Sequence, residues 1–274
     1  MQTHVAASKN VKCCVFCGKS PPEIKLTREH VLRKAIAKIL PYEPGINLLQ
    51  SSFDRVTARQ KRTTKFLPQT NYNLTVNDVC KNCNEGWLNV KIELAVEKYL
   101  FALIVGTEID LPKPASDLLA LWAAKTAAVR GLMDSRPLAV PPEHFAWIKN
   151  NLTPPPFTYV WIGRCEFTPE GWTRHRRLAA EHNKNVDFVH MTTLAIGHVV
   201  FYVLGCGGKM GLEMCAETIA NLDWHPIFQI WPASNATHFN KLPAFSLEKI
   251  LELSATNIQG KSPSIEVLQY YKDK

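Results

Sequence analysis

Seven residues draw attention because their types and spacing could do chemistry together. Cys14-Val-Phe-Cys17 and Cys80-Lys-Asn-Cys83 are two Cys-x-x-Cys knots with 62 residues between them. Each knot presents two thiolates on one tight turn, and two knots complete a tetrahedral four-cysteine site for zinc. With all four positions taken by sulfur, such a zinc is structural, because no position is left for water. It would tie together a loop-rich segment that has little core of its own. Cys13 offers an alternative first ligand at Cys-x-x-x-Cys spacing, and Cys14 is preferred because its spacing repeats that of the second knot. A pair of redox dithiols is the rival use, but no thioredoxin-like βαβ pattern surrounds either knot. Cys165, Cys206 and Cys215 lie in or beside apolar stretches and read as small core residues.

Glu29-His30 lies between the knots, and Asn84 directly follows the last cysteine. Hydrolysis of a phosphodiester requires a base to activate water and a cation to stabilise developing charge. Imidazole suits the base because it titrates near neutral pH. A carboxylate and an amide oxygen suit Mg2+, a hard cation that keeps most of its waters. Neighbours on an extended strand face opposite sides, so Glu29 and His30 divide between metal and water if the strand end twists. Each residue also has a bland reading: the Glu-His pair as a satisfied ion pair, Asn84 as a helix cap. Their coincidence at three places relative to four cysteines favours the catalytic one. His175, His190, His198 and His225 have no comparable neighbourhood and read as structural or surface residues.

The string Cys-x-x-Cys, Leu-Thr-x-Glu-His-Val-Leu, Val-Cys-x-x-Cys-Asn-x-x-Trp over residues 14 to 90 resembles the HNH, or ββα-metal, endonuclease family. It is similar in arrangement to phage Holliday-junction resolvases that carry a four-cysteine zinc. The resemblance implies His30 as general base and one Mg2+ or Mn2+ bound by Glu29 and Asn84, with 5′-phosphate and 3′-hydroxyl products. Phage defence is the role it suggests. Glu29 stands where Asp or His is commoner in the family, and Arg33 stands where many relatives have Pro. The roughly 50 residues between His30 and Asn84 imply an insertion. Trp87 reads as a core anchor. Two other readings stay open: a zinc-dependent nucleic-acid-binding module without cleavage, and an interaction module whose zinc stabilises a docking surface.

Charge points to the partner. Residues 1–98 hold 16 Lys/Arg against 8 Asp/Glu, whereas the rest of the chain holds 16 of each. A polyphosphate partner for the first third is the simplest electrostatic account of that asymmetry, with a solvated basic face as the alternative, and the resemblance implies nucleic acid, double-stranded DNA first, as that partner. Arg55, Arg59, Lys61, Arg62 and Lys65 form a basic run within the insertion and are the candidate phosphate contacts. No run approaches the ~20 apolar residues of a membrane helix, and the N-terminus lacks the apolar core of a secretory signal. A cytoplasmic protein without membrane association is expected. A second copy of the chain or another component of a defence system is the candidate protein partner.

The elements that must position these residues follow from periodicity. VLRKAIAKIL has helical spacing up to Pro41, and residues 41 to about 68 read as irregular. YNLTVNDVC alternates like a strand, and a helix is expected from just after Cys83 through WLNVKIELAVEKYLFALI. Ile109–Pro114 reads as a linker. SDLLALWAAKTAAVRGLMD is the strongest helix, with Ser116 as N-cap, and PPEHFAWIKNN is a shorter one. FTYVWIGRCEF, VDFVHMTTLAI, HVVFYVLGC and HPIFQIWP read as four strands, and SLEKILELSAT as a closing helix. The expected fold is α+β: a zinc-stapled ββα-metal (HNH) module over 1–110, then an α+β domain with an antiparallel sheet over 111–274.

Overall fold

The computed structural model describes residues 12–40, 46–54, 59–67, 70–134, 140–182, 185–222, 225–233 and 238–255. Strand β1 (Leu26–His30) pairs antiparallel with β4 (Thr75–Cys80). The chain between them forms a ribbon of its own, in which β2 (Ile46–Asp54) and β3 (Arg59–Leu67) pair antiparallel from Ile46↔Leu67 to Asp54↔Arg59. The expectation of an irregular stretch therefore gives way to a regular one. Its apolar residues are mostly adjacent (Leu48 and Leu49, Phe66 and Leu67) or missing (residues 59–65), so the sequence lacks the apolar alternation that is the usual mark of a half-buried strand. The expected helix over VLRKAIAKIL is reduced to a 3-10 turn at Lys34–Lys38. Val31 N–H donates to the Leu74 carbonyl at 2.9 Å and holds the start of the segment extended.

Strand β4 ends in Cys80 and turns at once into a helical segment, Asn82–Glu93, wound wider than an α-helix. The segment is interrupted at Gly86 and continues as α1 (Leu94–Ile104). Helix α2 (Lys113–Gly131) starts inside the stretch read as a linker, with Pro112 as its N-cap and Pro114 in its first turn. Ser116 is thus a buried residue within the helix and not its cap. Proline is preorganised for the first turn, so the helix begins one turn early. Helix α2 is buried on nearly every side, with residues 119–131 all buried, Lys125, Thr126 and Arg130 included. Helix α3 (Pro142–Asn151) follows.

The large sheet is built on two long antiparallel strands, β5 (Thr158–His182) and β6 (Asn185–Gly207). Strand β7 (Phe228–Trp231) pairs antiparallel with β5, and the short β8 (Ala244–Phe245) pairs parallel with it. Two of the four expected strands, VDFVHMTTLAI and HVVFYVLGC, are one. Gly197, at φ +56°, carries β6 through the junction, where a Cβ would lie 2.1 Å from the Ile104 carbonyl oxygen. Alternation along β6 divides the core. Val199, Phe201 and Val203 pack with residues of α1 and α2, whereas Val200, Tyr202 and Leu204 pack with Cys215 of α4 (Lys209–Ala220) and Ile250 of α5 (Leu247–Ala255). The first of these cores also takes Phe16, Val79 and Leu88, so apolar residues on both sides of Ile109–Pro114 share it. The fold is α+β with antiparallel sheets. Cys165, Cys206 and Cys215 are buried, as expected of core residues.

Between α3 and the sheet, three histidine rings adjoin. His144 and His175 lie 5.5 and 5.9 Å from His190, centroid to centroid. Burial pushes His144 down to about 4, with Glu143 opposing. Burial, then Arg130 and Arg177, push His175 down to about 3. His190 is driven well below its ordinary value by burial and its two neighbours. In the unfolded chain each would titrate near 6.5, so below that pH the unfolded state binds protons that the folded state refuses. Stability should therefore fall, on the order of a few kcal/mol, as pH drops from about 6.5 towards about 4. Denaturant melts at pH 7 and pH 5 check this: His144→Phe should lose less stability between the two than the wild type does.

Candidate metal centre and active site

The sulfurs of Cys14, Cys17, Cys80 and Cys83 all lie within 4.8 Å of one another. Cys17 Sγ is 3.8 Å from Cys80 Sγ, which is about the edge of a tetrahedron with metal–sulfur bonds near 2.3 Å. The first knot is a turn closed by Gly18 N–H donating to the Cys14 carbonyl at 2.8 Å, with Gly18 at φ +70°. Val15 N–H donates to the Asp78 carbonyl at 2.9 Å and pins that turn to β4. Strand β4 delivers Cys80, and the first helical turn delivers Cys83. The four cysteines are thus placed to hold one zinc ion, with no position left over.

Local electrostatics prepare the sulfurs unequally. Burial raises the Cys14 thiol, but backbone N–H groups of Cys80, Cys17 and Phe16 outweigh it and bring it below its ordinary value. The Cys80 N–H reaches Cys14 Sγ at 3.3 Å. Burial pushes the Cys83 thiol up, with Trp87 opposing; a bound cation would reverse that penalty. Cys13 is exposed beside Ser20, outside the cluster, so the choice between Cys13 and Cys14 falls to Cys14. Trp87 packs edge-on against Phe16 at 5.3 Å, and Phe16 against Phe145 at 5.4 Å, so Trp87 does anchor the zinc knot to the core.

The Glu-His pair sits at the other end of β1. Pairing runs Leu26↔Cys80 and Thr27↔Val79, then slips to Glu29↔Val76, so β4 carries one extra residue opposite Arg28. A bulge of this kind bends the strand and re-aims its side chains. Asn84 Nδ2 donates to Thr27 Oγ1 at 3.2 Å and to the Arg28 carbonyl at 3.1 Å. Both amide hydrogens are directed at β1, one residue from Glu29, and the amide oxygen is the group left to accept. His30 is half-buried. Burial, then Lys34 and Lys125, hold its imidazole below the ordinary value against Glu93, which favours the neutral form that accepts a proton. Glu29 is buried, and burial raises its carboxyl while Lys125 opposes.

Two charged residues that the sequence reading passed over complete this region. Lys125, on α2, is 1% exposed at its side chain; it pairs closely with Glu93 and lies 3.4 Å from Glu29 Oε1. Burial disfavours its charge, but the two carboxylates outweigh burial and raise it above the ordinary lysine value. Trp122 Nε1–H donates to Glu93 Oε2 at 3.2 Å. Arg33 donates to the Glu93 carbonyl and pairs with Glu97. One signal was available: a lysine flanked by the apolar runs LLALWAA and AAV must find a partner once that helix is buried.

The basic run is placed in part. Arg59, Lys61 and Arg62 lie on β3, opposite Asp54, Ser52 and Ser51, and Lys65 is exposed opposite Leu48. Arg55 lies outside the described residues. Among the described residues no helix is long and apolar enough to cross a membrane. No family model, curated protein or solved structure matches the chain.

Proposed function

We propose that this chain is a metal-dependent HNH endonuclease that hydrolyses phosphodiester bonds in DNA, with a structural zinc held by Cys14, Cys17, Cys80 and Cys83. The observation that carries the reading is that Asn84 Nδ2 donates to Thr27 Oγ1 and to the Arg28 carbonyl, which ties the residue after the last cysteine to the strand that carries Glu29 and His30. The donors left to a second cation are a carboxylate and an amide oxygen. That set fits Mg2+ or Mn2+, which accept few protein ligands and keep several waters. When bound, such a cation supplies positive charge at the scissile phosphate and the leaving oxygen. Glu29 and Asn84 are the residues that would hold it.

His30, neutral and half-buried, takes a proton from a water molecule. The water oxygen attacks phosphorus as the bond to the 3′ oxygen breaks, and the ends carry 5′-phosphate and 3′-hydroxyl groups. The basic ribbon grips phosphates on double-stranded DNA, an electrostatic contact that weakens as salt rises. Phage defence is the role we assign, on the resemblance alone. Asn84→Ala tests the ligand assignment. The Mn2+ concentration for half-maximal plasmid nicking should rise at least about tenfold, as loss of a metal-supporting group typically gives, with zinc content unchanged. An unaltered Mn2+ requirement would remove Asn84 from the site.

A further inference from the structure

Beyond the three proposed catalytic positions, the buried charges around Glu29 form one cluster drawn from three elements. Glu29 lies on β1, Glu93 at the end of the helical segment after Cys83, and Lys125 on α2. All three are buried. Lys125 is shared, but unequally: it closes on Glu93 Oε1 and stands 3.4 Å from Glu29 Oε1. The other oxygen of Glu93 accepts from Trp122, so Glu93 is held at both ends.

Two carboxylates and one ammonium leave this cluster with an excess of one negative charge. Burying an uncompensated charge is costly, and its pull on a cation is much stronger there than in water. A neutral Lys125–Glu29 pair, with no Glu93, would satisfy itself and offer little to a metal. We infer that Glu93 and Lys125 are positioning residues for the proposed metal site: Lys125 anchors one oxygen of Glu29, and Glu93 occupies the charge of Lys125 so that Glu29 stays available to a divalent cation. The inference rests on the metal-dependent reading above. It makes α2, outside the segment that resembles HNH enzymes, part of the working site.

Binding of Mn2+ to the zinc-loaded full chain, followed by the electron paramagnetic resonance signal of free Mn2+, tests this without reference to activity. Glu93→Gln should keep its zinc but melt at a lower temperature, because the buried pair with Lys125 is broken, and while still folded should bind Mn2+ about tenfold or more weakly because the cluster is neutralised. The double variant Glu93→Gln/Lys125→Met removes both charges, restores the single excess negative charge, and should recover part of the lost affinity, the remainder reporting the anchor that Lys125 gives Glu29. Wild-type affinity in Glu93→Gln, or no recovery in the double variant, overturns the inference. If the wild type binds Mn2+ no better than Glu29→Gln does, the metal-dependent reading itself fails, and this inference with it.

Discussion

His30→Ala should lower the rate of plasmid nicking by about 10²–10⁴-fold, the usual contribution of a positioned general base. Zinc content and thermal unfolding should stay near those of the wild type. The reasoning is local. His30 ends β1, its imidazole is half-buried and held neutral, and it is not among the four sulfur ligands. Removing it takes away a proton acceptor without touching the staple. Val31 N–H still donates to the Leu74 carbonyl and keeps the strand end in place. A variant that unfolds or loses zinc would show instead that His30 is a structural residue, and a variant that cuts like the wild type would place the base elsewhere.

The second large effect is on the staple. Cys80→Ser should release zinc and destabilise residues 12–104 by on the order of several kcal/mol, because metal binding and folding of such a unit are one equilibrium. Cys80 carries two duties: its sulfur lies 3.8 Å from Cys17 Sγ, and its N–H supports Cys14 Sγ. Serine keeps the second duty and loses the first, so the change isolates the metal. Elemental analysis should find zinc well below one per chain, and limited proteolysis should open the hairpin and the segment after it. Full zinc content in this variant would exclude the four-cysteine arrangement. Nicking should be lost as well, since Asn84 follows a ligand directly and owes its place against Thr27 and Arg28 to the same turn.

These two variants separate what the sequence made legible from what it hid. The knots, strand β4 and the helix after Cys83 were readable because each depends on residues close together in the chain. The choice of Cys14 over Cys13 followed from repeated spacing, and the cluster geometry agrees. The ribbon of β2 and β3 was hidden because its apolar residues do not alternate: Leu48 and Leu49 are adjacent, as are Phe66 and Leu67, and residues 59–65 hold none. The length of β6 was hidden for a different reason: Gly197 looks like a break, and only its packing against the Ile104 carbonyl shows that the strand runs on.

Lys125 is the most instructive omission. No acidic residue lies within a helical turn of it to explain a charge in the middle of α2, where Leu121, Trp122, Ala128 and Val129 are its neighbours along the helix. Its partners, Glu29 and Glu93, come from far away in the chain, and only tertiary structure brings them within reach. Breaking such a buried pair by removing one member costs on the order of 3–5 kcal/mol, so this cluster also joins the hairpin to the central helix.

The most direct measurement is conversion of supercoiled plasmid to nicked circle by the zinc-loaded chain, with Mg2+, with Mn2+ and with neither, beside His30→Ala under the same conditions. The account predicts nicking by the wild type that requires the added divalent cation, leaves 5′-phosphate ends, and is absent in His30→Ala. Equal nicking by the two proteins, or none by a wild type that carries its zinc and binds the plasmid, would contradict it.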